Sequence, residues 1–120
     1  MNCPKCGAVM KVVNWNDVEV DRCTDCHGLW FDLLEHEDLK KMPGAEALDD
    51  GDASIGKRHD ANRKIDCPKC GVPMIAMTDP EQRHIRFEAC MTCSGVFFDA
   101  GEFRDFKEKT IVDFFRGLRG

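Results

Sequence analysis

Cys3-Pro4-Lys5-Cys6-Gly7 opens the chain and returns as Cys67-Pro68-Lys69-Cys70-Gly71. A second motif, Cys23-x-x-Cys26-x-Gly28-Leu29-Trp30-Phe31-Asp32-x-x-Glu35, returns as Cys90-x-x-Cys93-x-Gly95-Val96-Phe97-Phe98-Asp99-x-x-Glu102. The two motifs are separated by 16 residues in the first copy and by 19 in the second, a difference that a loop between strands tolerates. This self-similarity indicates two copies of one small unit.

Each copy carries two Cys-x-x-Cys pairs, the spacing that turns two thiols toward the same side of a tight loop. Tetrahedral Zn²⁺ takes four thiolates at about 2.3 Å, so two such pairs complete one closed site. The sequence therefore predicts two structural zinc ions. The predicted ligands are Cys3, Cys6, Cys23 and Cys26 in the first site and Cys67, Cys70, Cys90 and Cys93 in the second.

Other uses of eight cysteines stay open alongside zinc. A disulfide scaffold is the usual alternative for an even cysteine count. Four thiolates in a tetrahedron also suit iron, as in a rubredoxin-like site. A thioredoxin-like redox pair needs a βαβ setting, which this sequence does not predict.

The start of the chain predicts a reducing compartment. Cys3 follows Met1 within two residues, without the basic and apolar regions of a secretory signal. No apolar run approaches the roughly 18 residues of a membrane span. We therefore expect a cytoplasmic protein with reduced thiols and no membrane partner.

The units are too small to fold on apolar burial alone. The chain has 120 residues, of which 42% are hydrophobic and 32% are charged. A unit of roughly 40 residues buries too little surface to offset its chain entropy, whereas structural zinc contributes about 10–16 kcal/mol in small peptides. The predicted fold class is a small metal-stabilised α+β fold with two tandem zinc ribbons.

Alternating apolar and polar residues predict a β-hairpin in each ribbon. The strands are expected at residues 11–14 and 18–22 in the first copy, and at 74–78 and 84–89 in the second. The apolar and aromatic residues after each second Cys pair predict a short third strand. Asp32-x-x-Glu35 and Asp99-x-x-Glu102 then have the spacing of a helix N-terminal capping box.

The predicted domains are residues 1–42, residues 65–120, and a flexible linker at 43–64 that is polar and contains glycine. The alternative for part of the linker is that Ala45 to Leu48 extends the first helix. We expect that first helix at about Leu33 to Met42. A longer C-terminal helix is expected from about Ala100 to Leu118.

The motifs resemble those of the transcription-factor-IIB-type zinc ribbon family, small and mostly bacterial proteins. The resemblance covers about 42 residues at the start and about 40 near the end, and it implies a fold and eight metal ligands. The second ribbon carries Phe97 where the family usually has Trp. The first carries Leu34 where Gly is usual and His36 where an apolar residue is usual.

A catalytic role is disfavoured because a site closed by four cysteines has no open position for water or substrate. His27, beside Cys26, is interpreted as a surface or supporting residue rather than as a ligand or base. His36, His59 and His84 are scattered along the sequence. The sequence therefore predicts no enzyme.

The sequence predicts a transcription-associated or nucleic-acid-binding module, and a protein-interaction adaptor is the alternative. Contact with nucleic acid or the transcription machinery is supported by the resemblance and by basic residues that could share one face, although the net charge of −5 opposes tight DNA binding. These residues are Lys57, Arg58, Arg63, Lys64, Arg83, His84 and Arg86. The alternative is a protein-interaction adaptor, or self-association, through apolar residues of the C-terminal helix. These residues are Phe103, Phe106, Phe114 and Phe115; packing of the same stripe on the other ribbon is the competing interpretation.

Overall fold

The computed structural model describes residues 1–33 and 35–107. In the first ribbon, strands β1 (Met10–Trp15), β2 (Val18–Cys23) and β3 (Leu29–Phe31) precede helix α1 (Glu35–Leu39). The connection holds a 3₁₀ turn (Ala45–Leu48) and helix α2 (Ala53–Asp60). The second ribbon comprises β4 (Ile75–Thr78), β5 (Arg86–Ala89), β6 (Val96–Phe98) and a helical segment at residues 102–107.

The first hairpin forms as predicted. β1 and β2 are antiparallel with Trp15 opposite Val18, which leaves a two-residue turn. Asn16 and Asp17 both have positive φ, 50° and 65°, as the two central residues of a type I′ turn require. Asn and Asp tolerate this conformation better than most residues, so the turn chemistry agrees with the strand pattern.

The two ribbons share one antiparallel sheet. Among the described residues, six strands lie in the order β1-β2-β3-β6-β5-β4. The third strands meet at its centre, with Leu29 opposite Phe98, Trp30 opposite Phe97 and Phe31 opposite Val96. A three-residue strand has few backbone hydrogen bonds. Pairing of the two third strands joins both hairpins into a sheet that is large enough to carry a core on each face.

Successive side chains of the central strands point to opposite faces of the sheet, so the core has two parts, one on each face. On one face, Trp30 and Phe97 pack in a cluster that contains cysteines of both four-cysteine sets. On the other, Phe31 and Phe98 pack with Phe103 and other apolar side chains. These central rings are fully buried, so neither ribbon covers its own aromatic residues.

The connection at residues 43–64, which the sequence predicted as a flexible linker, contains regular secondary structure. It contains the 3₁₀ turn and α2, and both Leu48 and Asp49 are 2% exposed. A Cβ on Gly56 would lie 1.9 Å from the carbonyl oxygen of Ala100, so α2 contacts the second ribbon backbone to backbone. Tertiary contact, rather than apolar periodicity, orders this segment. The domain boundaries at residues 42 and 65 stay a prediction.

The helices differ from their predicted lengths. Helix α1 covers five residues, Glu35–Leu39, instead of about ten. The Lys107 ammonium donates to the carbonyl oxygens of Leu39 and Lys40 at 2.9 and 3.2 Å, which satisfies acceptors at the end of this short helix. The predicted C-terminal helix is observed over residues 102–107; residues 108–120 lie outside the described part of the chain.

The two capping motifs behave differently. In the first ribbon, the Asp32 amide donates to Glu35 Oε1 at 3.1 Å, which is half of a capping box. In the second ribbon, the buried carboxylate of Asp49 accepts from the amides of Gly101 and Arg104, both at 2.9 Å. The prediction that Asp99 caps this helix was wrong, because a residue 50 positions earlier in the sequence caps it instead.

Candidate metal centres

The first four-cysteine set lies where the first loop meets the β2–β3 loop. Gly7 N–H donates to the Cys3 carbonyl at 2.9 Å, and Cys23 N–H donates to the Gly28 carbonyl at 2.9 Å. Gly7 has a φ of +81°, a conformation that glycine adopts without steric cost. These two tight turns bring Cys3, Cys6, Cys23 and Cys26 together, with all four Sγ atoms within 4.8 Å of one another.

The second set repeats this construction. Gly71 N–H donates to the Cys67 carbonyl and Cys90 N–H to the Gly95 carbonyl, both at 2.9 Å. Cys67, Cys70, Cys90 and Cys93 bring their sulfurs within the same 4.8 Å limit. The second set is the more accessible, because Cys70 is exposed whereas the most accessible cysteine of the first set, Cys6, is of intermediate exposure.

The sulfur positions fit a tetrahedral metal. Four sulfurs 2.3 Å from one centre lie about 3.8 Å from each other. The sulfur–sulfur distances are 3.7 Å for Cys3–Cys26 and 3.8 Å for Cys67–Cys93, and 3.3 Å for Cys6–Cys23. A disulfide needs about 2.05 Å, so these pairs are not bonded to each other.

The close approach of the thiols couples their protonation. The hydrogen bond with Cys26 lowers the pKa of the Cys3 thiol to about 5, while the same contact raises the pKa of Cys26. Two adjacent thiols thus resist losing both protons. A bound zinc ion stabilises all four thiolates by its charge. Backbone amides add to this, since Cys26 N–H and Cys70 N–H donate to the sulfurs of Cys23 and Cys67 at 3.4 and 3.3 Å.

The glycines after the second Cys pairs are required by close packing and not by a positive φ. The left-handed residues here are His27 and Ser94, with φ of 61° and 63°. A Cβ at Gly28 would lie 2.2 Å from the ring of Phe97, and a Cβ at Gly95 would lie 2.2 Å from the ring of Trp30. Neither position has room for a larger residue. Each glycine accommodates an aromatic ring of the opposite ribbon, a contact that the sequence could not reveal.

None of the four histidines joins a four-cysteine cluster in the described part of the chain. His27 Nδ1 lies 2.8 Å from Asp50 Oδ1, at the connection. His36 is 3% exposed and lies among phenylalanine rings, with 5.8 Å between its centroid and that of Phe98. His84 is exposed, and the carbonyl of His59 accepts from Lys5.

The predicted basic face is only partly available. Arg86 pairs with Asp60 at 3.2 Å, and Arg63 donates to the carbonyl oxygens of Met77 and Phe87, both at 2.9 Å. The residues of the predicted basic face that are exposed are Lys57, Arg58, Lys64, Arg83, His84 and Arg86.

Two of the four phenylalanines that were predicted to bind a partner lie in the described part of the chain, and both are buried. Phe103 and Phe106 are at most 1% exposed. The Phe103 ring lies 4.7 Å from that of Phe31 in the first ribbon, so this part of the stripe packs on the other ribbon. The adaptor surface predicted at Phe103 and Phe106 was therefore wrong. Phe114 and Phe115 lie outside the described residues.

Within residues 1–33 and 35–107, no helix has the length and apolar character needed to cross a membrane. The comparison with curated proteins and the comparison with solved structures gave no match. The family model described as transcription factor zinc-finger, the TFIIB-type zinc ribbon, matches residues 2–42 and 66–109. With its repeated motif, its two clusters of four sulfurs and this match over most of its length, the chain belongs to the TFIIB-type zinc ribbon family and carries two structural zinc sites.

Proposed function

We propose that this protein is a non-enzymatic, transcription-associated adaptor of the cytoplasm, and that it binds a protein partner through the outer edge of its second ribbon. The family description supports the link with transcription. Eight cysteines shared between two closed sites support a structural use of zinc, because four thiolates per ion leave no position for a substrate.

The proposal rests on apolar side chains that are exposed on the second ribbon. Ile75, Met77 and Met91 are 49, 39 and 69% exposed. By the repeat, Ile75 corresponds to Lys11 and Met91 to Thr24, both exposed polar residues. Isolated apolar side chains are ordinary on a surface, whereas grouped ones mark interaction sites. At the positions of Ile75 and Met91 the second ribbon thus exposes apolar side chains where the first exposes polar ones.

The shape of this surface fits an extended segment of a partner protein. Among the strands of residues 1–33 and 35–107, β4 is the last in the sheet order and pairs with β5 alone. Beside it lies a cavity of about 320 Å³, lined by Met77, Phe87 and Met91 among others. A strand added to an exposed sheet edge gains main-chain hydrogen bonds, and alternate side chains enter adjoining pockets. We infer that an apolar side chain of the added strand fills the cavity.

The test is purification of the tagged protein from its own cells with nuclease present. We expect a discrete protein, identified by mass spectrometry, to remain bound and to rebind as a purified component. Met77→Glu abolishes this binding. Val12→Glu is the matched control, since Val12 is also exposed but lies on the first ribbon's edge strand. Equal binding by both variants would overturn the proposal.

Nucleic-acid binding is the second function, favoured by the basic side chains that stay exposed around α2 and the β4–β5 loop. Two of them, Arg83 and His84, lie in that loop. This function predicts that nucleic acid co-purifies, is lost on nuclease treatment, and weakens with rising salt. Arg83→Ala would then reduce binding while Met77→Glu would not, which separates the two functions.

A further inference from the structure

The lysine of each first Cys pair reaches across to the opposite ribbon. Lys5 lies between the ligands Cys3 and Cys6, and its ammonium contacts the carboxylates of Glu88 and Asp99 in the second ribbon. The Nζ–Asp99 Oδ2 distance is 3.1 Å, and Nζ donates to the His59 carbonyl at 2.9 Å. The side chain of Lys5 is fully buried.

Lys69 makes the reciprocal contact, but at the surface. Its Nζ lies 2.6 Å from Asp32 Oδ1, and the two side chains are 44 and 38% exposed. Asp32 and Asp99 occupy the same position in the repeat. The difference arises from α2, because its residue His59 supplies a carbonyl to Lys5 and the neighbouring Asp60 belongs to the same group of carboxylates.

The buried contact fixes the first metal loop on the second ribbon. Asp60, Glu88 and Asp99 place carboxylate oxygens within 4.8 Å of one another, and Lys5 supplies a positive charge to two of them. Removing one partner from a buried ion pair leaves an uncompensated charge and is strongly unfavourable. The loop of Cys3 and Cys6 therefore cannot move away from the second ribbon without exposing or stranding these charges.

A second contact links the sites through their shared core. Trp30 and Phe97 belong to the same packed cluster as cysteines from both sets, and they lie opposite each other in the central strand pair. Each ring packs against the glycine that follows the other ribbon's second Cys pair. The second ribbon thus provides both an ionic anchor and an apolar contact for the first site.

We propose that Lys5 is a positioning residue that couples the two metal sites, so that filling the second site strengthens metal binding at the first. The coupling is reciprocal, because a free energy shared by two sites acts equally on both. Lys69 contributes less, since an exposed ion pair is screened by solvent and is worth little. The inference depends on the two zinc sites and not on the proposed partner.

The experiment measures metal affinity at the first site with the second site intact or disabled. The full chain is loaded with ¹¹³Cd²⁺, whose two resonances are assigned with Cys6→Ser and Cys70→Ser, and a chelator is titrated in. First-site occupancy follows from its own resonance. We expect Cys70→Ser to weaken first-site affinity by about 5–150-fold, the usual range of coupling between sites.

The coupling factor is the ratio of first-site affinities measured with the second site intact and with it disabled by Cys70→Ser. Lys5→Met should reduce this factor toward one, whereas the matched control Lys69→Met should leave it unchanged. A merely structural role for Lys5 would weaken both sites and leave the factor unchanged, and that result would overturn the proposal. So would a first-site affinity unaffected by Cys70→Ser. If Lys5→Met does not fold, Glu88→Gln replaces it, because it removes the charge that faces Lys5 while keeping its shape.

Discussion

Gly95 of the second ribbon lies so close to Trp30 of the first that a Cβ on this glycine would come within 2.2 Å of Cζ2 of the indole. Gly28 stands in the same relation to the Phe97 ring. The glycine in each Cys-x-x-Cys-x-Gly motif therefore serves the contact between ribbons. The two hairpins are joined by the central strand pair, and each packs an aromatic ring against a glycine of the other. They therefore form one folding unit.

Gly95→Ala is expected to destabilise the protein, because the added methyl group has no space beside a fully buried indole. Overpacking of this kind costs about 1–3 kcal/mol. Urea unfolding at saturating zinc measures the loss. In a Trp30→Leu background, where the ring is absent, the same change should cost less than about 1 kcal/mol. An equal loss in both backgrounds would show that the clash is not the cause.

Asp49→Ala is expected to destabilise the helical segment at residues 102–107. The carboxylate accepts from the amides of Gly101 and Arg104, and losing a buried acceptor for two donors costs about 1–3 kcal/mol. Hydrogen exchange of this segment should become faster. Asp52→Ala is the control, since Asp52 caps the exposed start of α2 through Ser54 N–H; it should leave exchange at residues 102–107 unchanged.

His36→Leu is expected to increase stability, and by more as the pH falls below about 6.5. Burial lowers the pKa of His36, so the unfolded chain takes up the proton first. Wild-type stability is therefore complete above pH 6.5 and falls as the pH drops toward the folded-state pKa, by at most about 1.4 kcal/mol per pH unit. Leu removes this titration together with Nδ1, which is buried without a hydrogen-bond partner among the described residues.

The measurement is the difference in unfolding free energy between wild type and His36→Leu at several pH values. Protonation of the cysteines affects both proteins and cancels in the difference. The repeat supports the substitution, since the position equivalent to His36 is Phe103, which is fully buried. A difference that stays constant from pH 8 to pH 5 would contradict this account of His36.

Zinc removal is expected to unfold both ribbons. Structural zinc contributes about 10–16 kcal/mol in small peptides, which is comparable to the whole stability of a typical domain. A strong chelator, with a reductant present, should abolish the circular dichroism of the sheet, and added zinc should restore it. Retention of the full strand signal after metal analysis shows complete removal would mean that the shared aromatic core suffices without zinc.

Cysteine spacing was sufficient to predict the metal sites. Two residues between paired thiols and a positive-φ glycine after the first pair are local requirements of a closed four-thiolate site. The hairpins were equally predictable, since Asn16 and Asp17 favour their turn whatever surrounds them. Helix ends were less predictable. Asp49, which caps the helical segment at residues 102–107, comes from a part of the sequence that predicts only a linker. Capping depends on which residues are close in space, and the local sequence does not reveal this.

The short-range pattern of cysteines, glycines and alternating residues therefore determined the family, the metal ligands and the strands. Tertiary structure decided that the ribbons form one sheet, that Phe103 and Phe106 are core rather than contact surface, and that Lys5 is buried while Lys69 is exposed. The reason is physical. A metal loop is specified by a few adjacent residues, whereas burial and ion pairing depend on side chains brought together from distant parts of the chain.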